Sequence, residues 1–411
     1  MKNLFIIISL LLSSTAWPAK TIKVGKQQAF SSVTAALAAA NAGDTILVYP
    51  GTYREGNIVI TKPVYLKGIQ YPVIDGAHRY EALSIRANNV TVEGLKVVNT
   101  GNSSIDDLAG IKLYGVNNAV IRNNILDNTV FGIYSYQSYN SLIEKNHITS
   151  YGTVEQQSGN GIHCWKSDSM RIIGNVITGH RDGIYFEFVT NSVIWRNISQ
   201  KNIRYGLHFM FSNNDSYITN IFKNNGAGVA VMYSYHVKML HNFFTDNWGD
   251  AAYGLLLKEI RDSHIEGNYF ERNTCGIYME AASRINLRRN TFRRNGWGMK
   301  MQANCMDLEV TASNFMSNTF DVATNGSLVL NKFNGNYWDK YEGYDLNKDK
   351  IGDVPYRPVS MYSMIVEQTP AAMVLFRSFI TTLLDKTEKV LPSITPENLK
   401  DETPFMKPLN L

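Results

Sequence analysis

Imidazole and thioether side chains gather in the middle of this chain. His208 and Met210 lie in GLHFMF, Met232 in GVAVMY, and His236, Met239 and His241 in HVKMLHN, with His163 earlier in GIHCWK. These are soft ligands, suited to Cu(I), whereas calcium and magnesium take oxygen. An oxygen set stands further on, Asp345-x-Asn347-x-Asp349 with Asp353 beyond, at the spacing of a calcium loop. Lys350 occupies the place such a loop gives to Gly and its closing Glu is missing, so an Asx-rich turn weighs ahead of calcium.

The elements that must position these residues are written as a repeat. GIKLYG starts at Gly110, and its counterparts start at Gly132, Gly161, Gly183, Gly206, Gly228, Gly254, Gly276 and Gly298, in steps of 22, 29, 22, 23, 22, 26, 22 and 22 residues. A second marker is an Asn followed at +2 by an apolar residue: Asn123, Asn146, Asn175, Asn197, Asn220, Asn242, Asn268 and Asn290. Positions Gly+1 and Gly+3 are almost all apolar while Gly+2 and Gly+4 are mixed, the period-2 pattern of half-buried strands. Strands that return every 22 residues leave no room for a crossover helix and stack as a parallel β-solenoid. The Asn column suits turns, where its amide tolerates the left-handed region and can bond its copy one coil above.

In that register Gly+2 and Gly+4 point outward. Gly+2 carries Tyr134, His163, Tyr185 and His208; Gly+4 carries Tyr136, Trp165, Glu187, Met210, Met232 and Glu280. His208, Met210 and Met232 are then outward neighbours with His163 two coils below and Glu187 alongside. Met239 points inward, and His236 and His241 extend the set. The two long steps follow Asn146 and Asn242, at the same corner, and bracket the His163–Met232 face as walls of a groove. Glycoside hydrolysis needs two carboxylates about 5–9.5 Å apart. The outward columns offer Glu187 and Glu280, four coils or roughly 19 Å apart. Stacking of sugar rings on Tyr134, Tyr136, Trp165 and Tyr185 stands as an alternative to metal binding.

The ends are of a different kind. Residues 1–19 carry a short basic start, an apolar run from Leu4 to Leu12 and Ser14-Thr15-Ala16, a cleavable secretory signal that marks the chain for export. No later stretch is long and apolar enough to span a bilayer. A net charge of +5 over 40 basic and 35 acidic residues, without basic–aromatic runs, excludes nucleic acid as a partner. Of three cysteines, Cys164 reads as a buried thiol; Cys275 and Cys305 could pair. Residues 20–109 form a cap, with an Ala-rich helix from about Ser31 to Ala40, and the first irregular coils; 110–335 are the regular coils; 336–360 close them. In the tail, 361–411, Ala371–Val390 reads as one amphipathic helix with Met373, Phe376, Phe379, Ile380 and Leu383 as docking residues, before a Pro-rich extension.

The helix followed by AGDTILVYPGTY, KPVYLKG and VIDG resembles the first coil of pectin-lyase-like proteins, which implies an all-β, right-handed parallel β-helix with an N-terminal capping helix and a C-terminal helical tail. Taken with the signal, the Gly/Asn coils, the closure NYWDKYEGYDLNKDKIGDVPYRP and the tail, the whole chain resembles the NosD family. That resemblance implies a non-enzymatic periplasmic role in assembling the copper–sulfur centre of nitrous oxide reductase. It implies copper as cargo. The implied partners are an ABC transporter permease with its ATPase, a copper chaperone and the reductase itself. It assigns no metal ligands. A carbohydrate-active β-helix enzyme is the competing reading.

Overall fold

The computed structural model describes residues 19–103, 105–250, 252–326, 330–390 and 399–411. The signal segment before residue 19 and the Pro-rich 391–398 lie outside the described residues.

Each coil folds into three short strands because αL residues interrupt an otherwise extended chain, four in a regular coil such as Phe188, Asn191, Arg196 and Lys201. Among the described residues the strands stack into three parallel sheets of 14, 12 and 13 strands, a parallel β-helix. Pairing is in register from coil to coil, as in Ile162↔Ile184 and Ile184↔Leu207. The Gly-bearing strands form the 12-stranded sheet. Their glycines are required by close approach. A Cβ on Gly206 would lie 2.7 Å from the Gly228 carbonyl oxygen and 3.0 Å from Phe222, and one on Gly132 would lie 2.4 Å from the Gly161 oxygen. Because Gly and Gly+1 both face the core there, Gly−1 turns outward, a third outward column that strict alternation does not reveal.

The Asn column is a buried ladder. Asn146 Nδ2 donates to Asn175 Oδ1 (3.0 Å), Asn175 to Asn197 (2.9 Å), Asn197 to Asn220 (3.0 Å) and Asn220 to Asn242 (3.0 Å), while each Oδ1 also accepts the backbone N–H of the coil before. The first rung is Asn124, not Asn123, and the αL residues are those just before the rungs (Asn123, Lys145, Arg196, Thr219). The ladder asparagines face the core, where an amide can satisfy two orphan groups at once. A second, unforeseen ladder runs through Asn202, Asn225, Asn247, Asn273, Asn295 and Asn318. Beside it Phe244, Phe270, Phe292, Phe315 and Trp338 stack with centroids 4.6, 5.0, 4.6 and 4.2 Å apart.

Both ends are closed. Helix α1 (Val33–Ala39) buries Val33, Ala36 and Leu37 over the first coils. Ser32 caps it, Glu55 accepts from the Val33 and Thr34 N–H groups (2.7 and 2.8 Å), and Lys62 Nζ donates to the Ala38 and Ala40 carbonyls (2.8 and 2.6 Å), each charge opposing the helix dipole. At the other end the tail is not one helix. Helix α2 (Met361–Gln368) packs on Phe320–Thr324 through Tyr362 and Val366, and Glu367 pairs with Lys300 at 2.7 Å. A 3₁₀ turn over Pro370–Leu375 and a positive φ at Arg377 then break the chain before α3 (Phe379–Val390). The last residues return as an added rung. Phe333 bridges Asp401 and Tyr337 bridges Phe405 in parallel. Buried Asp401 accepts from the Gly335 and Asn336 N–H groups, Asn336 Nδ2 and Trp338 Nε1 (2.9, 2.9, 2.9 and 3.1 Å), ending the Asn ladder on a carboxylate. All three cysteines are buried and free, so Cys275 and Cys305 do not pair.

Candidate metal-binding face

The outer side of the Gly strands carries three columns of side chains at one-coil spacing, about 4.8 Å. Register pairs Glu187 with Met210 and Met210 with Met232, so the two thioethers stand side by side, each half-buried. Tyr185 Oη donates to Met210 Sδ at 3.5 Å. Burial, with the Glu187 and Asp182 charges behind it, pushes the Tyr185 hydroxyl up to about 12, which keeps it a donor.

His208 shares a strand and a face with Met210. It is buried at 5% exposure, and neither ring nitrogen has a hydrogen-bond partner. Its Nδ1 lies 3.7 Å from Oδ2 of Asp182, which is fully buried and accepts from Arg204 Nε and Nη2 (2.9 and 2.5 Å) and from the Tyr205 N–H (3.3 Å). Burial opposes the Asp182 charge, but Arg204 and His208 prevail and hold its carboxyl below the usual range. Sequence reasoning missed Asp182 and Tyr205 because both are Gly−1 residues, outward only through the kink at the glycine.

His163 does not join His208. The Tyr185 ring stands between them, 4.8 Å from His163 and 5.0 Å from His208, and Tyr134 stacks on the other side of His163 at 4.3 Å and 6°. Burial, reinforced by the Arg181 charge, pulls His163 down to about 3, so it is a neutral ring in an aromatic column. Asn160, at the end of the first insertion, lies 3.4 Å from its Nδ1, and Glu155 of the same insertion pairs with Arg204 at 3.3 Å. That insertion therefore sits against the face. The second bonds to Thr274 through both backbone groups of Gly249 (3.0 and 2.9 Å).

His236 and His241 leave the set. Both occupy αL corners (φ 54 and 53): His236 Nδ1 faces Asn214 Oδ1 at 3.2 Å, and His241 packs on the Gly267 backbone beyond a different sheet. Met239 is core, as its parity requires. The calcium expectation finds no support. Asp345 accepts from the Asp349 and Lys350 N–H groups (3.2 and 2.9 Å), Asn347 from Asp349 (3.0 Å), Asp349 from Ile351 (2.8 Å) and Asp353 from Leu346 (2.6 Å). The oxygens are spent on the loop's own amides, the Asx-turn outcome. Among the described residues no three His, Cys, Asp or Glu side chains can reach one ion, so a metal site on this face has to recruit thioethers. Of the tail residues, Met373 and Phe376 lean on the last coils around Phe320, whereas Phe379, Ile380 and Leu383 are 80, 53 and 52% exposed.

This architecture is a parallel β-helix. The A-module of the mannuronan C-5 epimerase AlgE6 of Azotobacter vinelandii aligns with a TM-score of 0.51 at 15% identity, over 74% of this chain and 90% of that one. The thermostable GH87 α-1,3-glucanase of Streptomyces thermodiastaticus aligns at 0.58 and 12%, over 74% and 65%. Within that class, residues 148–343 match the family described as NosD, periplasmic copper-binding protein. The chain is similar along most of its length to proteins named "Probable ABC transporter binding protein NosD". That of Pseudomonas aeruginosa is 27% identical over 373 residues, 86% of either chain, and that of Stutzerimonas stutzeri is 26% identical over 378 residues, 87% of this chain and 86% of the relative.

Proposed function

We propose that this protein is a periplasmic accessory factor that binds copper transiently, works with an ABC transporter, and serves the maturation of nitrous oxide reductase without catalysing a reaction itself. The observation that carries the reading is the in-register pair Met210–Met232 beside buried His208, whose ring nitrogens make no hydrogen bond and whose Nδ1 stands 3.7 Å from Asp182 Oδ2. Two thioethers and an imidazole are a Cu(I) donor set, and the half-exposed position of the sulfurs suits a metal that is taken up and passed on. The family description and the names of the relatives support the copper and transporter parts. Delivery by a periplasmic copper chaperone and passage to the reductase complete the route that this reading assigns. Exposed Phe379, Ile380 and Leu383 of α3 are its docking face for the permease, and the segment before residue 19 its export signal. Among the described residues no helix is long and apolar enough to cross a membrane, which accords with attachment through a partner.

Cu(I) titration against a competing chelator tests the site. His208→Ala, Met210→Ala and Met232→Ala should each weaken binding about tenfold or more, one ligand's share. Unchanged affinity in all three overturns the assignment. The docking face is tested on the full chain, since Asp401 closes the rod: Phe379→Ser, Ile380→Ser and Leu383→Ser together should abolish co-purification with the permease and ATPase.

The carbohydrate reading draws on the fold and on the outward rings of Tyr134, Tyr136, Trp165 and Tyr185. Trp165 is stacked on Tyr136 (4.9 Å, 22°) with Lys166 over its ring at 4.4 Å, so a sugar would have to displace existing partners.

A further inference from the structure

Directly after Glu187, Met210 and Met232 stand Phe188, Phe211 and Tyr233, one per coil. They stack as a staircase, with centroids 5.2 Å apart at 9° and 5.0 Å apart at 14°. They are 44, 39 and 36% exposed. All three sit at a corner that imposes the left-handed region, with φ of 53, 50 and 54°. The same corner in flanking coils holds Gly115, Gln137, Lys166, Glu259 and Ala281, small or polar residues at φ of 62, 47, 46, 51 and 50°. Bulky rings are poorly suited to that backbone region, which Asn and Gly adopt at little cost. Three consecutive aromatics there, half in water, satisfy neither turn chemistry nor core packing. The corner is nevertheless intact, since the Phe188 and Phe211 N–H groups bond to the Met210 and Met232 carbonyls at 3.1 and 3.2 Å.

The geometry of the stack selects its partner. The inner ring faces are taken by one another, so the stack turns ring edges outward. Edges carry the positive end of the aromatic quadrupole and favour electron-rich, polarisable atoms over cations or flat sugars. Thioether sulfur prefers this position, about 5 Å from the ring and at its edge. We infer that Phe188, Phe211 and Tyr233 form a docking ridge for a partner protein segment that presents methionine side chains, seated beside Met210 and Met232. The inference goes beyond the copper reading and does not depend on it, because ring-edge recognition of thioethers requires no metal.

Two short synthetic peptides test it in copper-free buffer, one carrying several methionines and no His or Cys, the other with leucine at those positions. The methionine peptide should bind the full-length protein about fivefold more tightly than its leucine counterpart, the sum of two ring-edge contacts. The variant Phe188→Asn/Phe211→Asn/Tyr233→Asn should lose that discrimination while keeping Cu(I) affinity and losing no more than about 3 °C in Tm, because Asn suits the corner. Equal binding of both peptides, unaltered binding by the variant, or a larger fall in Tm would each overturn the ridge. A protein that discriminates the peptides yet fails to bind Cu(I) would sink the copper reading alone; one that binds Cu(I) but neither peptide would sink the ridge alone.

Discussion

The inside and the outside of the Gly-bearing strands obey the same register and opposite rules. Inward, each coil repeats its neighbour: a glycine under a carbonyl, an asparagine on a ladder, an aliphatic or aromatic side chain over its copy. Outward, the column changes at every coil, from Tyr134 and His163 through Tyr185 and His208 to Ala230. What repeats is scaffold, because each rung's geometry is set by the rung beneath it. What varies is free of that constraint, and chemistry collects there.

Breaking the inside should cost most where a rung has no successor. Asp401→Ala would strand five donors, Gly335 N–H, Asn336 N–H, Asn336 Nδ2, Trp338 Nε1 and Thr403 N–H, and should destabilise the protein by about 5 kcal/mol in denaturant unfolding. Asp401→Asn keeps an acceptor and should cost less than half of that.

Acid tests the boundary between the two sides. Burial pulls His163 down to about 3 and His180 to about 4, below the unfolded value, so the unfolded chain binds more protons below pH 6.5. Their stabilising effect is fully present above pH 6.5 and falls as pH drops through that value towards 4. Between pH 7 and 5 each should cost about 2 kcal/mol, read as a fall in Tm. The depressed carboxyl of Asp182 acts in the same direction at lower pH, below about 4. His163→Phe should keep the aromatic column and remove its share of the loss.

Gly206→Ala drives a Cβ to 2.7 Å from the Gly228 oxygen, where the backbone itself must give, and should cost about 3 kcal/mol. The smallest effect belongs to the outside. Met210→Leu and Met232→Leu should change stability by less than about 0.5 kcal/mol while lowering Cu(I) affinity, and a large loss of stability would show that the methionines belong to the scaffold after all.

The sequence determined the solenoid. A Gly step of 22, an apolar parity and an Asn column are local signals that stacking amplifies, and the same signals placed Met210 beside Met232 and Met239 in the core. Only the tertiary structure decided the rest. Proximity across a coil depends on the kink at Gly, which brought Asp182 and Tyr205 outward to His208, and on the Tyr185 ring, which separated His163 from it. His236 and His241 read as neighbours in sequence but fall on corners facing elsewhere. The tail read as one amphipathic helix and a Pro-rich extension because nothing in its own composition encodes the distant ladder end that Asp401 completes. A rung is legible where its repeats are adjacent; one donated from 65 residues away is fixed by the unsatisfied donors waiting for it.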